Sequence, residues 1–268
     1  MNRIGLAFTP PPGSERPRAF VSYLCAGDPD YQTSFRALRI LAQEGASILE
    51  IGVPFSDPLA DGQTNQLAAE RALAGGFRSE DVFRLVSELR AAGTEQAIVF
   101  YTYYNLVFSR GIDAYVAEAK KAGVDAMLVL DLPPEEGADF FESCQRHEMQ
   151  TVLIVAPTTP PERLPRICEV ATAFIYYVSR EGVTGVRQDD ATGVEEAVAA
   201  IRAETNLPIV VGFGISTPAQ VARTCEIADG AVVGSALVNS LSKAHREGDS
   251  SLASFRDLVR SLLGKGGS

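Results

Sequence analysis

From about residue 20 to the end, short apolar runs rich in β-branched residues alternate with longer segments of helical period. No other feature restricts the fold as much. The strand-like runs are Phe20–Cys25, Ser47–Gly52, Ala97–Tyr103, Ala126–Leu130, Thr151–Val155, Phe174–Val178, Ile209–Gly212 and Ala231–Gly234. Several are apolar almost without a break, such as Ala-Met-Leu-Val-Leu and Pro-Ile-Val-Val-Gly, as in parallel strands buried on both faces. Between the runs lie amphipathic patterns at Ser34–Glu44, Ser79–Ala92, Ile112–Ala122, Glu135–His147, Gly193–Glu204 and Pro218–Ile227. Strand–helix units repeated eight times over about 250 residues predict an α/β chain folded as a single (β/α)8 TIM barrel. The domain is read as residues 1–268, with a short segment, 1–19, before the first strand. A doubly wound open sheet is the alternative. No repeat, low-complexity tract or linker divides the chain.

Composition then narrows the function. Lys and Arg number 24 against 34 Asp and Glu, a formal charge of −10, which argues against a surface for nucleic acid or anionic membrane. No apolar run approaches the roughly 18 residues needed to span a bilayer. Pro10-Pro11-Pro12 arrives before any apolar leader core develops, so no signal peptide is expected. Four scattered cysteines (Cys25, Cys144, Cys168, Cys225) form no C-x-x-C pair, which predicts a reduced, cytoplasmic protein. The two histidines, His147 and His245, lie in charged helix-like stretches, which argues against imidazole metal sites and histidine-activated nucleophiles. The four lysines (Lys120, Lys121, Lys243, Lys265) avoid the strands, which argues against a Schiff base. Carboxylates, hydroxyls and backbone amides are left to carry any chemistry.

Two intervals between strands are long: VPFSDPLADGQ with a further helical stretch after the second, and SREGVTGVRQDDATG after the sixth. In a barrel such loops open at the C-terminal end of the strands, where sites are built, and can act as lids. Alternation in Ser47–Gly52 sends Leu49 and Ile51 outward and Glu50 into the barrel mouth. Poor solvation there raises a carboxyl pKa and suits acid–base work; a buried structural glutamate is the other reading. Asp57-Pro and Asp61-Gly are turn formers, and either aspartate could simply shape a loop. A second carboxylate able to reach the mouth beside Glu50 favours a role for Asp61. Three glycine turns follow the last three strands, at Gly182–Gly185, Gly212–Ser216 and Gly234–Ala236, with Ser235 as a candidate N-cap for Ala236–Leu241. Free amides at such turns and at a helix start can cradle a phosphate. Tyr23, Tyr103 and Tyr176 lie near strand ends, where they either line an apolar pocket or fill core. Cys25, without a histidine to activate it, reads as core.

These segments also carry a resemblance. LEIGVPFSDPLADG (Leu49–Gly62) closely resembles the signature of the tryptophan synthase alpha subunit family, and AGDPD, YYNLVFSRGID, DLPPEE, SREGVTG, GFGIS and GSALV extend the likeness over essentially the whole chain. The resemblance implies a TIM barrel that cleaves indole-3-glycerol phosphate to indole and glyceraldehyde 3-phosphate. By motif position it implies Glu50 as the acid–base glutamate and Asp61 as the aspartate at the indole nitrogen. Gly185, Gly214, Gly234 and Ser235 match the phosphate cradle, and Tyr103 and Tyr176 match aromatics around the substrate. Tyr23, Asn65 and Phe213 are counted with that pocket, and Phe55, Asp57, Arg180 and Thr184 with the lid loops. No cofactor or metal is expected in this chain. The implied partner is a pyridoxal-phosphate β subunit in an α2β2 heterotetramer that condenses indole with serine. Phe55 and Leu59 would be exposed to water in a solitary lid, which suits a partner over the mouth.

The reaction also suits the residue inventory. Cleavage of this kind needs an electron sink; with neither a lysine nor a metal to provide one, a C3-protonated indole supplies its own. Departures from the family pattern are Gln63 and Asn65, where proline and an apolar residue are usual, and Val129-Leu130 before Asp131, where proline often precedes the aspartate. Gln63 should loosen the second-strand loop, and Asn65 sets an amide beside the pocket, where it needs a hydrogen-bond partner. The N-terminal helix looks shortened by Pro10–Gly13. Rival readings are a stand-alone indole-releasing lyase, another phosphate-binding barrel isomerase and an inert regulatory subunit.

Overall fold

The computed structural model describes residues 2–10, 13, 18–178, 188–212 and 214–265. Strands β1 (Ala19–Cys25), β2 (Ile48–Gly52), β3 (Ala97–Thr102), β4 (Ala126–Val129), β5 (Gln150–Val155), β6 (Phe174–Val178), β7 (Ile209–Gly212) and β8 (Gly230–Val233) close into a barrel in sequence order. All neighbouring pairs are parallel, β8 returning to β1 with Val21 opposite Val232. The predicted (β/α)8 barrel is therefore the fold, and the open sheet is excluded.

Around it run α1 (Arg3–Ala7), α2 (Tyr31–Glu44), α3 (Gln63–Ala74), α4 (Asp81–Ala91), α5 (Tyr104–Arg110), α6 (Ile112–Ala122), α7 (Ala138–Arg146), α8 (Leu164–Val170), α9 (Gln188–Glu204), α10 (Pro218–Ile227), α11 (Ser235–Arg246) and α12 (Ala253–Leu262). Local chemistry sets many of these bounds. Asp30 caps α2 by accepting from the Thr33 amide, and Gly45 ends it in the left-handed region. Thr217 and Gln220 form a capping box on α10, with Pro218 in its first turn. Two expected starts lie too early. Ser79 serves the preceding loop, its hydroxyl donating 2.9 Å to the Pro54 carbonyl, so α4 begins at Asp81. The Glu136 amide closes a turn onto Pro133, so α7 begins at Ala138 rather than Glu135. Helix α5 follows β3 without a glycine or proline between them, which hides the boundary in one apolar run. None of the helices among the described residues is long and apolar enough to cross a membrane.

Strand alternation divides the core into an interior and a shell. Val21, Ile48, Val99, Leu128, Val152, Phe174, Val210 and Val232 pack inside the barrel. Leu49, Ile51, Ile98, Phe100, Met127 and Val233 pack outside against helices, as Leu153, Ile175, Ile209 and Val211 do on the far side. Short as it is, α1 supplies Ile4 and Phe8 to the interior cluster, with the Phe8 ring 5.6 Å from Phe174.

Candidate active site

Glu50 has the orientation that alternation predicts: Leu49 and Ile51 lie in the outer cluster, Ile48 in the inner one. In the ladder Glu50 sits between Tyr23 of β1 and Val99 of β3, and it is 1% exposed. Burial, reinforced by the negative charge of Asp61, raises its pKa to about 8. At neutral pH it is therefore a protonated acid. Its Oε1 has no hydrogen-bond partner among the described residues.

Asp61 reaches the same mouth. Tyr101 Oη donates 2.8 Å to its Oδ1, Tyr103 Oη donates 2.7 Å to its Oδ2, and Asn65 Nδ2 lies 3.3 Å from Oδ1. Burial pushes its pKa up, while these three donors pull it down. Burial holds the Tyr23, Tyr101 and Tyr176 hydroxyls well above the ordinary tyrosine range, so all three stay protonated. Tyr101 is the site residue that sequence reading missed. The signal was present, since Val99, Tyr101 and Tyr103 share the inward parity of the third strand. Tyr23 and Tyr176 also point into the mouth, each over a glycine. A Cβ on Gly52 would run into the Tyr23 hydroxyl, and one on Gly212 would lie 2.8 Å from that of Tyr176. Cys25 is buried, and burial with Asp28 nearby raises its pKa well above the ordinary thiol value, which fits a core residue.

On the other side of β1, at the end of β8, Gly234 caps α11 and Ser235 opens it. Ser235 is not the N-cap expected from sequence: it is already the first helical residue, Gly234 occupies the cap, and no side chain caps the helix. The Gly234 carbonyl accepts from the amides of Leu237 and Val238. Helix geometry leaves the Ser235 and Ala236 N–H groups pointing outward from the first turn, where an anion is stabilised. Gly214, two residues beyond β7, has φ +67, a conformation that disfavours a side chain. Gly185, Arg180, Thr184 and Phe213 lie outside the described residues.

Comparison with known proteins identifies the family. The family model for the tryptophan synthase alpha chain matches residues 13–263. The chain is 58% identical over 241 residues to a tryptophan synthase alpha chain of Opitutus terrae, covering 90% of each protein. It superposes on the crystal structure of tryptophan synthase subunit alpha from Legionella pneumophila with a TM-score of 0.89 at 32% identity, covering 99% of this chain and 98% of that one. A chain from the tryptophan synthase α2β2 complex of Pyrococcus furiosus is 37% identical, with a TM-score of 0.85 over 93% of this chain and 99% of that chain. The chain belongs to the tryptophan synthase alpha chain family. Members of the tryptophan synthase alpha chain family are enzyme subunits, so this one is a subunit of an enzyme.

Two of this alpha chain's departures from the family pattern take on structure. Gln63 opens α3 and is exposed; the loop before it is held by Gln66 instead, whose Nε2 donates 3.0 Å to the Asp61 carbonyl and 3.3 Å to that of Pro58. Asn65 meets Asp61 through its amide nitrogen, while its buried Oδ1 has no partner among the described residues. In the same loop Asp57 is exposed and accepts 2.6 Å from the Ser56 hydroxyl. Leu59 is 90% exposed, as expected of a lid without a partner. Phe55 is not: its ring packs 5.2 Å from that of Tyr103 and is partly covered.

Proposed function

We propose that the chain cleaves indole-3-glycerol phosphate to indole and glyceraldehyde 3-phosphate, a lyase reaction of the retro-aldol type. The observation that carries this reading is the pairing, in one barrel mouth, of a buried Glu50, whose pKa burial raises, with an Asp61 held by three hydrogen-bond donors. Glu50 gives its proton to indole C3, creating a ring iminium. The side-chain hydroxyl next to C3 loses its proton to the Glu50 carboxylate as the C–C bond breaks. The bond's electron pair flows into the iminium, leaving neutral indole and the aldehyde. Positive charge grows at the ring nitrogen during the first step, and ionised Asp61 stabilises it by accepting from the ring N–H. The phosphate end is assigned to the amides of Ser235 and Ala236, with Gly234 and Gly214 as further members of the cradle and Gly185 assigned to it by motif position alone.

The proposal includes the partner. The Pyrococcus relative comes from an α2β2 complex, and the C-terminal end of this barrel exposes Leu59 (90%) and Phe108 (64%). A pyridoxal-phosphate β subunit seated there would cover them and receive indole directly; no cofactor is assigned to this chain. A stand-alone lyase remains the second reading, and kinetics with and without the β subunit separate the two. The chemistry is tested by Glu50→Gln and Asp61→Asn. Each should lower lyase kcat/KM by about 10²–10⁴-fold with the fold retained by circular dichroism. Near-wild-type turnover in either would overturn its assignment.

A further inference from the structure

No cation stands beside the Asp61 carboxyl among the described residues. The titratable groups facing it are Glu50 on β2, Tyr23 and Cys25 on β1, Tyr101 and Tyr103 at β3, and Tyr176 on β6, all of them uncharged when protonated. Hydrogen bonds alone hold the carboxylate, and they are distributed unevenly. Among the described residues Oδ1 receives both Tyr101 Oη (2.8 Å) and Asn65 Nδ2 (3.3 Å), whereas Oδ2 receives Tyr103 Oη alone (2.7 Å). A carboxylate has about four lone-pair sites, two on each oxygen. Among the described donors Oδ1 is full, and Oδ2 keeps one site.

The amide orientation of Asn65 follows from the same arithmetic. Turned round, it would set its carbonyl oxygen against the carboxylate, acceptor against acceptor. In the observed orientation Asn65 Oδ1 is buried without a partner among the described residues, which an apolar side chain at this position would avoid. The stabilising contribution of the amide therefore lies in its contact with Asp61.

The geometry points to Tyr101 and Asn65 as a two-donor clamp on Asp61 Oδ1, a pair of positioning residues that leaves the free site on Oδ2 as the acceptor for the ring N–H. This inference rests on the role given to Asp61 above. The clamp selects one oxygen for the ring, fixes its direction and keeps the buried carboxylate ionised.

The test compares Tyr101→Phe, Asn65→Leu and the double variant with Asp61→Asn. It reads the pH dependence of kcat/KM for cleavage, and the binding of an uncleavable indolylalkyl phosphate, of its N-methyl counterpart and of glycerol phosphate. Losing a donor to the charged form raises the Asp61 pKa, so the acid limb should move to higher pH, by about one unit per donor. Preference for the N–H over the N-methyl ligand should fall about tenfold, with glycerol phosphate binding unchanged. Asn65→Leu, at a partly exposed helix start, keeps the test open should Tyr101→Phe fail to fold. An unmoved acid limb and unchanged N–H preference in the folded variants would overturn the clamp while Asp61→Asn stays inactive. Glycerol phosphate affinity that falls together with the rate would mark general loosening and overturn it equally. Wild-type activity in Asp61→Asn would instead remove the underlying role of Asp61.

Discussion

Glu50 gives up its water on folding and finds no hydrogen bond for Oε1 among the described residues, so the folded chain prefers it protonated. That preference has a sign. Below the ordinary value of 4.5 both folded and unfolded chains carry the proton; between there and about 8 only the folded chain does. Stability from this group is therefore present at low pH and lost as pH rises through that window. Glu50→Gln removes the titration while keeping the shape. Its melting temperature relative to wild type should rise between about pH 5 and pH 8, by an amount equivalent to about 2–4 kcal/mol. A difference independent of pH, in melts at both values, would show that Glu50 titrates as an exposed glutamate does.

Helix α3 has little hydrophobic anchorage of its own. It buries Ala68, Ala69 and Ala72, and no side chain caps its start at Gly62. Its directional tie is Arg71, whose Nε and Nη2 reach the Asp28 oxygens at 2.7 and 2.9 Å, and Asp28 is 1% exposed after β1. The same helix sends Asn65 and Gln66 back to Asp61. An ion pair between the first two βα segments thus fixes the platform on which Asp61 rests. Arg71→Met would leave Asp28 buried and uncompensated, a loss of about 2–4 kcal/mol. Adding Asp28→Asn should recover much of it, since a neutral amide is cheaper to bury. A denaturant-melt cycle checks the stabilities. With it, kcat should fall more than KM rises in the single variant, and additive losses in the cycle would show that the pair is not coupled.

At the scale of the whole barrel the two ends have different work. The N-terminal end is tied for stability. Asp125 accepts from the Ile98 amide (2.8 Å) and Arg90 (2.6 Å), Asp229 accepts from the Ile209 amide (2.8 Å) and Arg202 (3.0 Å), and Ile4 and Phe8 close the interior. The C-terminal end carries the orphaned Glu50 oxygen, the uncapped start of α11 and the exposed Leu59 and Phe108. Such a surface suits a protein that completes its site by association. Lyase activity of the isolated chain should be low and rise strongly on adding the β subunit, in a steady-state assay of indole release. Leu59→Ser should reduce that rise more than it reduces basal turnover. Full activity of the chain alone, unchanged by folded β subunit, would support the stand-alone reading.

Some of this is written in the amino-acid order, because it depends on local periodicity. Alternation at period two was enough to turn Glu50 inward and Leu49 and Ile51 outward, and strand–helix alternation was enough to predict eight βα units, whereas closure into a barrel rather than an open sheet is seen only in the structure. LEIGVPFSDPLADG was enough to indicate the family. The boundary between β3 and α5 was not legible, since one apolar run passes from strand into helix without a turn residue. Nor was the Ser235 cap, because a difference of one residue in helix start turns a capping hydroxyl into a first-turn one. The tyrosine hydroxyls that meet Asp61, unlike the nearby Asn65, are brought to it by tertiary structure. Tyr101 lies 40 residues from it and Arg71 lies 43 from Asp28. Loops have no period, and which donors meet a loop carboxylate is decided only when closure of the barrel brings β1, β2, β3 and α3 to one mouth.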